Sequence, residues 1–424
     1  MAKDKKITLV SAILLIVWIA YPIVVMYLNA FNVSAYLTYQ IWYTILYFIG
    51  GAGMVIGGIT LCNLKKRPIP IYLMALFGIW CILCSAFAEH KAIAFFGFST
   101  MKDNFTTYFA YAGFILLGLT VAKDKEWVKR LATVFLFTSA ILAVIALMDN
   151  KLTTSLCVNY ITNCYHYQSV FYNTNHYGYY LLMSIILAAY LFLNEEDKQM
   201  RIIYLVCEAI FTTTLILNNT MGAYLATLLT FIFAIIWSFM NKEPKKDILI
   251  FVAVFLVATA ISFIYTNNVS SNFVGMFSDA GDMMTEEDIN AVGSGRGALW
   301  LVYTDVIKHY PIMGVGPENV GTSAHNTFLQ IGAYTGLVGL VIYVSIFIAG
   351  VIGLIRIRHT ISPQAKAAAF IVVGYLISAF FGVTMFYTAP YFYAILGICL
   401  YDLVGEKAEE SIEEIKVEEN KVLA

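Results

Sequence analysis

Charge is what this chain has least of: Asp, Glu, Lys and Arg make up 12% of its 424 residues and nearly cancel, to a formal net charge of −1. A soluble domain carries roughly 25% charged residues, so the shortage excludes an ordinary water-facing globule. Near-zero net charge also gives no reason to expect nucleic acid as a partner. Metal-ligating patterns are missing as well. Of seven cysteines, Cys62, Cys81, Cys84, Cys207 and Cys399 fall in or beside apolar runs, where a small hydrophobic side chain is the plain explanation. Cys157 and Cys164, accompanied by His166 and His176, form no pair at i, i+4 and no clear tetrad, so neither a metal nor another cofactor is expected. Those two cysteines lie in a loop where oxidation is permitted, and a disulfide or two free thiols stay equally open. The chain also lacks a Gly-x-Ser-x-Gly elbow, which argues against an intramembrane serine protease.

Apolar sequence is what is abundant. Hydrophobic residues reach 60% with a mean hydropathy of +0.76, and runs of the roughly 20 residues that span a bilayer recur from end to end. Twelve are expected, at 7–28, 39–62, 69–88, 106–122, 131–148, 175–193, 202–218, 222–240, 248–266, 327–349, 367–386 and 390–404. The expected fold class is therefore an all-α polytopic membrane protein. About 12 transmembrane helices form a single transmembrane domain over 1–404, with a long extracytoplasmic loop before the tenth. The acidic stretch 405–424 reads as a solvated cytoplasmic tail. Lys and Arg test the count, because cytoplasmic loops carry their excess. With both termini inside, all but five of the 26 fall on cytoplasmic segments, and the outside keeps Lys91, Lys102, Lys151, Arg296 and Lys308. Losing one span would reverse every later loop and destroy that bias. The first run is too long for a signal-peptide core and is expected to stay as an anchor. The spans hold almost no charge, which argues against a transporter or lipid flippase, where ionisable residues sit near the midplane.

Long extramembrane loops concentrate function, and two outside segments are long, 149–174 and 267–326. The second holds the only outside arginine. After the acidic residues Asp279, Asp282, Glu286, Glu287 and Asp288 it reaches Ser294-Gly295-Arg296, and Arg296, Trp300 and Tyr303 or Thr304 then recur at helical spacing. This predicts a short helix lying at the membrane surface and stopped by Pro311. Gly314-Val315-Gly316-Pro317 predicts a tight turn whose small residues let backbone amides approach a ligand. Glu318 follows as a candidate base. Thr322-Ser323-Ala324-His325-Asn326 immediately precedes the tenth span, whose positive dipole end points at the outer leaflet. That field welcomes an anion and favours neutral imidazole, which suits His325 as a base. Gly332, Gly336 and Gly339 are spaced for close helix packing.

Ser294-Gly295-Arg296, Trp300, Pro311, Gly314-Val315-Gly316-Pro317, His325-Asn326, Leu329, Gly336 and Gly339 together resemble the carboxy-terminal signature of the O-antigen ligase and O-antigen polymerase family, in order and spacing, across 294–339. Upstream, Phe171-Tyr172-Asn173-Thr174-Asn175, with Gly178 and Leu181, is similar to that family's Asn-x-Asn segment. The resemblance implies a metal-independent glycosyltransferase of the bacterial cytoplasmic (inner) membrane, with its catalytic loop at about 267–326. Such an enzyme takes a glycan from undecaprenyl diphosphate on the outer face and passes it to a hydroxyl of a saccharide or lipid-sugar acceptor, as polymerase or ligase in cell-surface polysaccharide assembly. By the same resemblance Arg296 would bind the diphosphate and His325 would contact or deprotonate the acceptor. Trp300, Gly314, Gly316, Asn326, Asn173, Asn175 and Lys308 complete the expected substrate contacts, with Glu318 as the second base. The chain departs from the pattern at Thr220-Met221-Gly222, where many members carry Ser-Arg-Gly. One cation near the phosphates is therefore missing, and Lys102, Lys151, Lys308 or helix N-termini are expected to share its load. The implied chemistry suits these residue types. Negative charge builds on a diphosphate leaving group, and a planar, permanently charged guanidinium stabilises it while a base takes the hydroxyl proton. The tyrosines of the first long loop, Tyr160, Tyr165, Tyr167, Tyr172, Tyr177, Tyr179 and Tyr180, read either as stacking faces for sugars or as a headgroup-level aromatic belt.

Overall fold

The structure, a computed structural model, describes residues 2–31, 33–64, 67–98, 102–152, 169–171, 173–242, 245–265 and 292–404. Cys157, Cys164, His166, the acidic run 279–288 and the tail 405–424 lie outside the described residues. Within them the chain runs through α1 (Ala2–Ala30), α2 (Ala35–Cys62), α3 (Ile69–Phe87), α4 (Lys91–Phe96), α5 (Phe105–Val121), α6 (Lys125–Leu152) and α7 (Thr174–Leu193). It continues through α8 (Lys198–Asn218), α9 (Met221–Met240), α10 (Lys246–Tyr265), α11 (Val292–His309), α12 (Thr327–Arg356), α13 (Pro363–Phe380) and α14 (Ala389–Tyr401). Polar caps mark where the apolar runs begin: Ser34, Asn104, Asn173, Asp197, Asn326 and Ser362 each accept from an amide of the following first turn. Asn219, in the left-handed region at φ 61, separates α8 from α9.

Among the described residues ten helices are long and apolar enough to cross a membrane, namely α1, α2, α3, α6 to α10, α12 and α13. The fourth and twelfth expected spans are shorter, 17 residues in α5 and 13 in α14. At about 1.5 Å per residue neither reaches the roughly 30 Å of a hydrocarbon core. They are shielded from lipid instead: α5 packs between α2 and α14, and both are buried along most of their length. The α2–α5 contact is backbone against backbone, since a Cβ on Gly113 would stand 1.9 Å from the Gly50 carbonyl oxygen. Apolar side chains such as Val55, Ile79, Ile264 and Val341 form the outer surface, as lipid requires.

Two expectations change. The eleventh span does not run to 386: α13 stops at Phe380, and 381–388 crosses irregularly to α14. Thr327 accounts for this, because its hydroxyl donates to Gly382 O at 3.2 Å and accepts from Thr384 N at 3.1 Å, taking backbone groups a helix would have used. The second change is in α12, where Gly336 breaks the helix at φ 69, ψ −179 rather than serving a straight packing face. The break orphans carbonyls at membrane depth, which costs several kcal/mol each if they stay unpaired, by order of magnitude. They are all met. Val315 N donates to Ala333 O and Gly316 N to Tyr334 O, each at 2.9 Å. Trp80 Nε1 donates to Thr335 O at 2.8 Å. In return Leu337 N donates to Pro311 O at 2.8 Å.

Connections alternate between two ends of the bundle. At one end, the segments around 97–104, 310–326 and 381–388 touch through Glu318 and Thr327. The other end is tied by Lys129–Glu195 at 3.3 Å, Arg201–Asp247 at 2.7 Å and Ser362 N to the Asp402 carboxylate at 2.6 Å.

Candidate functional site

The first turns of α11 face the loop that carries His325. Arg296 Nη1 donates to Phe381 O at 2.8 Å, one turn later Trp300 Nε1 donates to Ala324 O at 3.0 Å, and Tyr303 donates to Thr322 O. The spacing 296, 300, 303 places all three on one helical face, so the sequence period itself pins residues 322–324. His325 follows in the left-handed region at φ 48, a conformation a non-glycine residue holds only when its neighbours impose it. Its amide donates to Ser323 Oγ at 3.3 Å, and Asn326 caps α12 through Phe328 N and Leu329 N.

Beneath this turn lies a buried polar chain that the sequence did not reveal. Ala324 N donates to Gln330 Oε1 at 3.1 Å, and Gln330 Nε2 donates to Asp103 Oδ2. Asp103 is buried, and burial pushes its carboxyl up to about 7, against the opposing hydrogen bonds from Tyr108 and Gln330. Its amide and that of Phe98 donate to the Glu318 carboxylate, the second of these at 2.9 Å. Glu318 is itself buried, and its carboxylate holds the amides of Phe98 and Asp103. Gly314 and Gly316 likewise serve the splice into α12: a Cβ on Gly314 would stand 2.4 Å from Ala333 O.

The opposite wall comes from α7 and 381–388. Asn173 Oδ1 caps α7 through Asn175 N at 2.8 Å, and Asn175 is half-buried beside it. His176 follows in the same turn and Tyr179 one turn on; the Tyr179 hydroxyl donates to Ser378 O at 3.0 Å. Thr220-Met221-Gly222 reaches the same place, since a Cβ on Gly222 would meet Phe381 Cβ at 2.9 Å. Phe381 is the residue whose carbonyl anchors Arg296. Among the cations weighed as substitutes for one at Met221, Lys102 lies over the Tyr43 ring at 5.1 Å, and Tyr43 packs on Phe386. Lys308 is exposed in the last turn of α11, about 18 Å along the axis from Arg296. Lys151 lies where side chains are not described.

Electrostatics join Arg296 to His325. Burial first, and the Arg296 guanidinium second, hold the His325 imidazole below its ordinary range, so it is neutral at neutral pH. The arrangement sets a permanent cation within electrostatic reach of a neutral imidazole held at φ 48. A family model for O-antigen ligase matches residues 207–344, from the middle of α8 into α12. No curated protein matches the chain.

Proposed function

We propose, on the O-antigen ligase family model that matches residues 207–344, that this membrane protein is a glycosyltransferase that moves a glycan from undecaprenyl diphosphate to an acceptor hydroxyl in polysaccharide assembly. The observation that carries the proposal is the pairing of Arg296 with His325, close enough for one charge to depress the other's protonation. In this reading the acceptor oxygen forms a bond to the anomeric carbon as the bond to the diphosphate oxygen breaks. The leaving diphosphate keeps the electron pair, stabilised by the N–H groups of Arg296 that Phe381 does not use, and the hydroxyl proton passes to His325. Asn326, Asn173, Asn175 and Trp300 would line the substrate, Lys102 would supplement the charge missing at Met221, and Glu318 would act by holding the loop. The donor arrives from the lipid at the end of the bundle that carries α11, which the positive-inside pattern assigns to the extracytoplasmic face of the bacterial inner membrane.

A second reading, a transporter or flippase without bond-making chemistry, draws on Glu208. This carboxyl sits midway along α8, fully buried with neither oxygen partnered among the described residues, and an ionisable group inside a span is a mark of function. One assay separates the two. In purified protein given lipid-linked glycan extracted from cells lacking this chain, wild type should release undecaprenyl diphosphate. Arg296→Ala and His325→Ala should each lose about 100-fold or more in kcat/KM. Since the imidazole is held low, the acid limb of the wild-type profile should fall below the ordinary histidine value. Full activity in Arg296→Ala would refute the assignment, and translocation of intact lipid without bond cleavage would select the second reading.

A further inference from the structure

A second imidazole stands within electrostatic reach of the first. His176, in the opening turn of α7, is 4% exposed, and its Nδ1 is buried without a hydrogen-bond partner among the described residues. Its ring is wedged edge-on against Tyr179 at 5.9 Å and Tyr387 at 5.3 Å. Both neighbours are themselves fixed, Tyr179 by its bond to Ser378 O and Tyr387 by packing on Phe386 at 4.4 Å. His176 lies within electrostatic reach of His325, and Tyr179, on the same face of α7, lies within reach of Arg296. That face is therefore the wall opposite the two residues assigned to the chemistry.

Nothing in the transfer step uses this ring. A nitrogen sealed away unpaired is destabilising unless a partner arrives, and a phenyl ring would fill the same aromatic niche without that cost. We propose that His176 is a substrate-binding residue whose ring nitrogen hydrogen-bonds a sugar hydroxyl of the glycan handled by Arg296 and His325; the inference rests on the transferase reading. A hydroxyl is the matching chemistry, because it both donates and accepts and so pairs with whichever nitrogen a neutral imidazole presents. A phosphate oxygen only accepts, and Arg296 already serves that group. No bond is made or broken at His176.

Full-length protein and the lipid-linked glycan extracted from cells lacking this chain provide the test. His176→Phe keeps the ring and removes both nitrogens. It should fold with a thermal midpoint at or above wild type and lose about tenfold in kcat/KM, carried mainly by KM. The near-isosteric pair His176→Asn and His176→Leu covers the case in which Phe does not fit: Asn should stay within about threefold of wild type while Leu matches the tenfold loss. A folded Phe variant with wild-type KM, or Asn and Leu variants of equal activity, overturns the inference and leaves the transferase standing. Wild-type protein that cleaves no lipid-diphosphate glycan overturns both.

Discussion

Asp103 stands behind His325 rather than beside it, and its protonation should be legible in stability. Burial raises its carboxyl from 3.8 to about 7, so the folded state holds the proton more tightly than the unfolded chain. The stability this group contributes is then fully present below the unfolded value and is lost as pH rises through about 7. Asp103→Asn, neutral at every pH and still able to accept from Gln330, should remove that slope. Thermal midpoints in detergent between about pH 5 and about pH 8 should fall for wild type relative to the variant; parallel curves would show that the carboxyl is ionised throughout. Arg296 and His325 stand out in the sequence as candidates because each belongs to a local pattern of spacing. Asp103 does not, since its partner Gln330 is 227 positions away and Lys102-Asp103-Asn104 reads as an ordinary helix start.

At the scale of the element, the interrupted α12 is where sequence and structure part. Three glycines at 332, 336 and 339 suit a packing face by spacing, and spacing cannot tell a glycine that lets a neighbour approach from one that lets the backbone turn. Gly336 is the latter: at φ 69, a Cβ there would lie 2.1 Å from Ile312 O. At Gly332 the nearest obstacle at 2.9 Å is the flexible end of Ile307. Gly336→Ala should therefore destabilise by about 3 kcal/mol or more and Gly332→Ala by about 1 kcal/mol or less, combining backbone strain with the clash. Denaturation of the detergent-solubilised variants measures this, and equal sensitivity at the two positions would restore the packing explanation. The end of α13 was hidden for a related reason. Phe381, Val383, Met385, Phe386 and Tyr387 continue the apolar run, and the helix stops only because Thr327, distant in sequence, claims Gly382 and Thr384.

For the whole molecule, hydropathy located every helix that lies in the membrane-like bundle, because burial in lipid is written locally. It overstated the length of α14, whose shielding by α5 is a tertiary fact. Orientation is open to direct measurement: with the native cysteines replaced, a cysteine at Lys308 should react with a membrane-impermeant thiol reagent from outside intact cells, and one at Lys245 only after permeabilisation. The reverse pattern would put Arg296 and His325 on the cytosolic side and end the proposed chemistry. The splice at Gly336 has a mechanical consequence for such an enzyme. Ala333 and Tyr334 before the break and Leu337 just after it are all stitched to the segment that bears His325, and the rest of α12 continues beyond them. Under the proposed chemistry, a bilayer that thins, thickens or parts for a long polyprenol would press first on the far part of α12, and the clamped break at Gly336 would stand between that disturbance and the imidazole.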